Sequence, residues 1–592
     1  MNDEEIVEIQ TLLNAVKYNG KAALNSTLGS IIQLDPSRFK PKIRDIKVMV
    51  EKQIELVNLM TLEAQIVKLK QIDPSLIKEE KHEKREIQIE LSNIERFKEV
   101  VLRLAPYPSG PLHIGNSRMV VLNDYLAKKY KGKLLLVFDD TIGSETKIID
   151  PNAYDLIPEG LDYLEIKIHN TYYKSDRLNL FYTYAKDIIQ RGKAYVCTCE
   201  GVEWRSKYKN EKLECSCRNI SLEANLERWE KMLDGTYQER TAVVRLKSGM
   251  NLPDPALRDP VMLRISEREH PRVGGKYRVW PLLEFSWGID DHELGISHII
   301  RGKDLRKEGD IEKMIWDIYN WNKPSISLYG RMKLVDIKLS KSNTAQLIKK
   351  GVYKNWTDPR TWSLQSLQRR GIEAGALYQA LLELGMNPVD VTFSPLQIYS
   401  INRALIDAKV HRYFFVPNPV VLTLKDLPKQ YSVAKPLLHP EYPDLGTRTI
   451  QLDIINGEGS VYISEEDISS NYGSLLRLKD LVNITIEREK SLPKKITVKG
   501  KKQAFETKQL IGRFHSADVQ TARESHATMA QWIPVSNAIP VKILMTDGTY
   551  ELGYGEPDLR KTLPGQIVQF ERYAFCRIEK IDYQIAVIWT HR

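Results

Sequence analysis

Cysteine is scarce. The chain has five in 592 residues, and four of them crowd between Cys197 and Cys217. Cysteines so few and so unevenly placed exclude a disulfide-built scaffold and fit a reducing compartment, so a cytoplasmic protein is expected. Long apolar runs are missing as well. None approaches the roughly 18 residues that a membrane span needs, and no membrane partner is expected. The opening MNDEEIVEIQ is acidic and polar, without the basic start and apolar core of a secretory signal. No segment on the order of 20 to 50 residues recurs along the chain, so an array of repeats is not expected.

What is present reads as an ordinary globular protein of several domains. Hydrophobic residues make up 42% and charged residues 28% of the chain. The formal net charge is +10. A positive balance of this size suggests a polyanionic partner, nucleic acid first of all, with a merely solvated basic surface as the alternative.

The texture changes three times along the chain. "IVEIQTLLNAVKYN" and "IKVMVEKQIELVNLMTLEAQIVKL" carry apolar residues at helical spacing. "KEEKHEKREIQIE" then reads as a solvated, charged linker. From about residue 98, "EVVLRL" and "KLLLVF" bracket a helical stretch in which Met119, Leu122, Leu126 and Tyr130 share one face, the pattern of a βαβ unit. After about residue 415, "VVLTL", "TRTIQLDI", "KITVKG", "VKILM", "IVQFERYAFCRI" and "YQIAVIW" are strand-like and separated by turn signals, as in an all-β region.

Between the first strand and its helix stands "PYPSGPLHIGN", a stiff turn-rich stretch ending in His113, Ile114, Gly115 and Asn116. A helix N-terminus presents free N–H groups and a partial positive charge, so anions bind there. Gly115 lets a flat ligand lie on the backbone, and a histidine can donate hydrogen bonds to phosphate oxygens. Much later, "DIKLSKSN" sets Lys338 and Lys341 in a serine-rich segment. Two mobile ammonium groups on such a loop could close over a triphosphate and stabilise departing pyrophosphate. Each stretch alone is more often a structural turn or a surface loop.

Together and in this order they resemble the HIGH and KMSKS signatures of the class I aminoacyl-tRNA synthetases. "RLAPYPSGPLHIGN", "FDDT", "DDHELGISHIIRGKD", "YKNWTDPRTWSLQSLQRRGI" and "NRALIDAKVHRYFFV" are similar to the glutamyl-tRNA synthetase family. The helical start and the β-rich end resemble its archaeal branch. The resemblance implies a multidomain α/β chain. An N-terminal helical domain and linker would span 1–95. A Rossmann-like catalytic domain would span 96–335, with an acceptor-end-binding insertion at about 190–285. A KMSKS-type loop and helical connector would span 336–415, and a β-barrel anticodon-binding region 416–592. It implies ATP-dependent attachment of glutamate to tRNA(Glu) through a glutamyl-adenylate, with tRNA(Gln) left open as a second acceptor. ATP with Mg²⁺ is then a substrate. His113, Gly115, Asn116, Lys338, Ser340 and Lys341 would hold ATP, with His113, Lys338 and Lys341 catalytic. Arg103, Asp139 and Arg301 would bind the amino acid, Arg301 taking the side-chain carboxylate and Asp139 the ammonium.

The chain departs from the family pattern at Leu283, where a tyrosine is frequent, and at Trp287, where a smaller polar residue is common. Both bear on the amino-acid pocket. The cysteines form Cys197-x-Cys199 and Cys215-x-Cys217 with fifteen residues between the pairs. Four thiolates can close a tetrahedral zinc site, and buried free thiols are the other reading. Two further functions stay open from the residues: a glutaminyl-tRNA synthetase, and a tRNA-binding scaffold without catalysis.

Overall fold

The computed structural model describes the chain except residues 1, 18–19, 40, 74–88, 145–146, 336, 338, 470–472, 489–491, 499–500 and 508–509. Two compact units divide it, Met1–Glu86 and Ile87–Arg592. Most of the charged run expected as a linker falls outside the described residues, and so does Lys338.

The first unit is helical. Helices α1 (Asp3–Lys17), α2 (Leu24–Leu34), α3 (Ile43–Asn58) and α4 (Leu62–Ile72) account for most of it. The long apolar stretch read from the sequence is thus split in two. Thr61 caps the second half, its hydroxyl accepting from the Ala64 N–H at 3.2 Å. Val7, Ile31, Ile46 and Val50 form one small core, and Leu12, Ala15, Val57 and Leu69 another.

The second unit opens on a parallel sheet. Strand β1 (Val101–Leu104) pairs with β2 (Lys133–Phe138), which pairs with β3 (Asn170–Tyr173). Helix α5 (Ile114–Lys129) makes the crossover from β1 to β2. Both β1 and the last five residues of β2 are buried, as expected of strands covered on two faces. An antiparallel sheet follows, β4 (Ala194–Cys197), β5 (Val243–Leu246), β6 (Val261–Ile265) and β7 (Val279–Pro281), in that order. Then come α6 (Leu283–Glu293), β8 (His298–Gly302), α7 (Arg306–Tyr319) and β9 (Ser325–Tyr329), with β8 and β9 parallel. Ser297 joins this pair to β1: its N–H donates to the Val101 carbonyl at 3.0 Å, and its hydroxyl accepts the Val101 N–H at 2.7 Å. The ends of β1, β2 and β8 therefore lie together beside the start of α5.

From residue 412 onward the chain is mostly β. Two seven-stranded sheets fold there, with separate cores around Leu422, Val461 and Trp532 and around Val541, Phe570 and Val587. "IVQFERYAFCRI" is two strands, Ile567–Phe570 and Ala574–Ile581, joined by a turn at positive-φ Arg572. "TRTIQLDI" supplies only Ile450–Gln451. A buried ionic knot ties the two sheets. Arg448 meets Glu556 at 2.7 Å and Glu571 at 2.9 Å, and Glu556 also accepts the Phe414 N–H at 2.9 Å. Burial pushes the Glu556 carboxyl up to about 7. Removing Arg448 leaves the Glu556 carboxylate buried without its cation, so Arg448→Ala should lower stability by about 3–5 kcal/mol in urea unfolding of the β region.

Candidate active site and cysteine cluster

The turn-rich stretch ends where α5 begins, and His113 is the N-cap of that helix. Its Nδ1 accepts the Gly115 N–H at 3.0 Å, which places the ring proton of neutral imidazole on Nε2. Burial, with the Lys341 ammonium second, pushes His113 down to about 3. Gly115 is required by close approach: a β-carbon there would lie 2.8 Å from the His113 ring and 3.0 Å from Leu339. Asn116 follows, its N–H donating to the His113 carbonyl at 2.8 Å, with its buried side-chain Oδ1 unpartnered.

Across from this helix start lies the serine-rich segment. Ser340 caps a second helix, α8 (Lys341–Lys349), accepting the Asn343 N–H at 3.3 Å. Lys341 reaches back to the Gly110 carbonyl at 3.4 Å. Burial pushes its ammonium down to about 8. His113, Leu339, Ser340, Lys341, Trp356 and Ser363 enclose a cavity of only about 30 Å³. That is room for a water molecule, so Leu339, Ser340 and Lys341 sit closed against the helix start.

The three side chains expected at the amino acid are all buried, and each meets a counter-ion from the chain. Arg103, on β1, makes a bidentate pair with Asp291 of α6. Its guanidinium lies 3.5 Å from the Trp287 ring centroid. Asp139 follows β2 and receives the wholly buried Lys174 ammonium at 2.9 Å. Lys174 also donates to Ser286 Oγ at 2.6 Å and lies 3.6 Å from the Trp287 centroid. Burial lowers its pKa. Arg301, on β8, binds both oxygens of Glu312 on α7, at 2.8 and 2.6 Å. Trp287 is thus a buried platform for two cations, and Leu283 packs against the same apolar cluster. Sequence reading missed Lys174, Asp291 and Glu312, whose partners are distant in sequence or sit on a separate element.

Beside this region the antiparallel sheet bounds a groove of about 660 Å³. Arg205, Arg240, Arg245, Arg258 and Lys307 line it, and Glu284 and Glu308 stand among its acidic members. Arg245 stacks 3.4 Å above Trp204. Cys197, Cys199, Cys215 and Cys217 come together at one end of β4, their sulfurs all within 4.8 Å of one another. Cys199 and Cys217 are 3.9 Å apart. A tetrahedron with Zn–S arms of about 2.3 Å has edges of about 3.8 Å, so the four sulfurs fit zinc in number, spacing and chemistry. The Thr198 N–H approaches Cys217 Sγ at 3.5 Å, and Cys215 lies 3.8 Å from the Tyr195 hydroxyl, outer contacts of the sort that orient metal ligands.

Comparison with known proteins agrees with this architecture. Residues 99–407 match the model of the tRNA synthetases class I (E and Q) catalytic domain. Residues 410–502 and 529–579 match that family's two anti-codon binding domain models. The chain is a member of the class I tRNA synthetases of the E and Q group. Among its relatives, a glutamate–tRNA ligase of Methanocaldococcus jannaschii is 38% identical over 580 residues, 98% of each chain. That of Methanothermobacter thermautotrophicus is 36% identical over 589 residues, 100% of this chain and 99% of the relative. That of Pyrococcus furiosus is 38% identical over 604 aligned positions, covering all of both. The fold is accordingly a Rossmann-like catalytic domain with an N-terminal helical domain and a C-terminal all-β anticodon-binding region. Among the described residues no helix is long and apolar enough to cross a membrane.

The cysteine cluster yields a direct test. Purified, chelator-washed protein should retain about one zinc per chain by metal analysis, in line with a closed four-thiolate site. Cys215→Ser should lose most of it. Four freely titratable thiols without metal would refute the site.

Proposed function

We propose that this chain attaches L-glutamate to tRNA(Glu), using ATP and passing through a glutamyl-adenylate with release of pyrophosphate and AMP. The observation that carries the reading is the convergence of His113, the N-terminus of α5 and Lys341 on one cleft, in a chain that matches glutamate–tRNA ligases over its full length.

The chemistry needs no protein nucleophile. The amino-acid carboxylate attacks the α-phosphate, and the protein's work is positioning and charge stabilisation. His113 Nε2–H and the free N–H groups of α5 are donors suited to phosphate oxygens. Gly115 is assigned to the adenine on the motif alone, since the His113 ring and Leu339 lie over it here. Lys341 meets the departing pyrophosphate, and Lys338 is assigned beside it on the motif alone. The closed segment must lift for a triphosphate to enter the cleft and then settle over it. Mg²⁺ would arrive with ATP and neutralise phosphate charge. Arg301 takes the side-chain carboxylate, Arg103 is the second guanidinium of the pocket, and Asp139 faces the substrate ammonium beside Lys174. The basic groove between Trp204 and Lys307 suits the phosphates of an acceptor strand, with zinc bracing the cysteine cluster packed behind Trp204.

His113→Ala and Lys341→Ala should each slow adenylate formation roughly ten- to a thousand-fold, the scale of losing one group that stabilises transition-state charge. ATP–pyrophosphate exchange with tRNA present measures this. In the free enzyme Lys341 loses its proton as pH rises through about 8. Wild-type kcat/KM for ATP should therefore fall above that pH, and the alkaline limb should vanish in Lys341→Arg.

The whole reading is tested by charging tRNA(Glu) and tRNA(Gln) with glutamate and with glutamine. Glutamyl-tRNA(Glu) is expected, and the tRNA(Gln) arm decides the second acceptor. A protein that binds tRNA but charges it with neither amino acid would be a scaffold instead.

A further inference from the structure

Arg301 and Glu312 present a conflict that the proposed function must resolve. Both terminal nitrogens of Arg301 are taken by Glu312, at 2.8 and 2.6 Å. A β-carbon on Gly309 would lie 2.8 Å from Nη2, so the backbone of α7 walls that nitrogen closely. Nε is buried without a partner. A substrate carboxylate seeking a two-pronged grip finds its place already filled by a carboxylate of the chain. The surroundings favour neither a second anion nor an easy exit for Glu312. Asp291 and Arg103 act on Glu312 from α6 and β1, and Arg301 from β8. Glu284 of α6 is an acidic neighbour of Glu312, and Glu308 of α7 acts on Arg301 and Glu284. Arg103, the other facing cation, is held by Asp291. An ionised Glu312 that let go of Arg301 would have no cation to move to among these groups, and a buried, unpaired carboxylate is strongly disfavoured.

We propose that Glu312 is a positioning residue that competes with the substrate for Arg301, and that it yields by taking a proton, so that glutamate binding is coupled to proton uptake. The inference rests on the glutamate reading above. Charge balances in the exchange. The incoming side-chain carboxylate replaces the Glu312 carboxylate on Arg301, one proton from solvent converts Glu312 to the neutral acid, and the pocket's net charge is unchanged. Burial, with Asp291 acting in the same direction, raises the Glu312 carboxyl above its ordinary range despite Arg301, so the proton is more readily accepted here than on an exposed glutamate. The neutral amide of glutamine has no comparable exchange, because it cannot replace a carboxylate's charge on Arg301. The pair therefore sets side-chain choice through pH as well as through shape.

The test is titration calorimetry of the full chain with tRNA(Glu) present. Glutamate is added in buffers of different ionisation heat, alongside charging kinetics across pH. Wild type should take up about one proton per glutamate above the Glu312 pKa, and the glutamate KM should rise with pH, approaching about tenfold per unit. Glu312→Gln should bind glutamate without proton uptake. Its KM should be flat with pH and about tenfold below wild type at the alkaline end, with kcat and the ATP KM held, a tenfold change being about 1.4 kcal/mol. Glu312→Asp, which keeps the titrating group, should restore the pH dependence. Wild-type protein that charges glutamate with no proton uptake and a pH-independent KM would overturn the inference and leave the function intact. That measurement needs no variant to fold. Wild-type protein that never charges glutamate would overturn both.

Discussion

Buried opposite charges, each pair spanning two elements, hold the centre of this protein together. Arg103 with Asp291 ties β1 to α6. Arg301 with Glu312 ties β8 to α7. Lys174 ties the end of β2 to α6 through Asp139 and Ser286. Every one of these charges is at most 7% exposed. In such surroundings a lone ion is far more costly than a pair, and the loss of one partner is worth about 3–5 kcal/mol. The pairs therefore fix where the sheet ends and the flanking helices meet, and that meeting point is where the amino acid is proposed to bind. Trp287 adds to this by offering its π-face to Arg103 and Lys174, 3.5 and 3.6 Å from its centroid.

The same pairs explain what the sequence could and could not show. His113, Gly115 and Lys341 belong to short motifs whose local geometry carries their chemistry: a cap, a close backbone approach and a helix start. Their meeting follows once the motif order is read against a βαβ frame. Glu312 carries no such local mark. It lies eleven residues beyond Arg301, inside a charged helical stretch, and only the packing of α7 on β8 brings them together. Lys174 is a lysine in a polar run, and nothing in that run says it will be wholly buried. In the β region, alternation and turn residues marked most strands. "TRTIQLDI" fell short because its continuous ladder is only Ile450–Gln451 against Val433–Ala434, with Thr447 reduced to an isolated bridge to Leu437. Strand pairing depends on a neighbour's edge, which a propensity pattern does not specify.

The cysteine cluster lies between these cases. Its spacing was legible, and four sulfurs within 4.8 Å give that spacing a shape. The groove beside it was not legible, because Arg240, Arg245, Arg258 and Lys307 come from separate elements. Basic residues far apart in sequence add up to one electrostatic surface only after folding.

The cleft at α5 shows how an ionic arrangement can suit a substrate that has not yet arrived. His113 and Lys341 are both half-buried there, and desolvation lowers both. Each is held nearer its neutral form than it would be in water. On the proposed reading the polyphosphate of ATP reverses that balance, because an anion beside a desolvated base raises its pKa. The ammonium of Lys341 then gains stabilisation from the substrate, and the gain grows as charge builds on the departing pyrophosphate. By linkage, the same interaction strengthens phosphate binding by an equal amount. Burial of the cation in the empty cleft and its grip on the filled one are two sides of a single term. A more exposed lysine would bind the ground state with less desolvation, but screening by water would leave it little extra to offer the transition state.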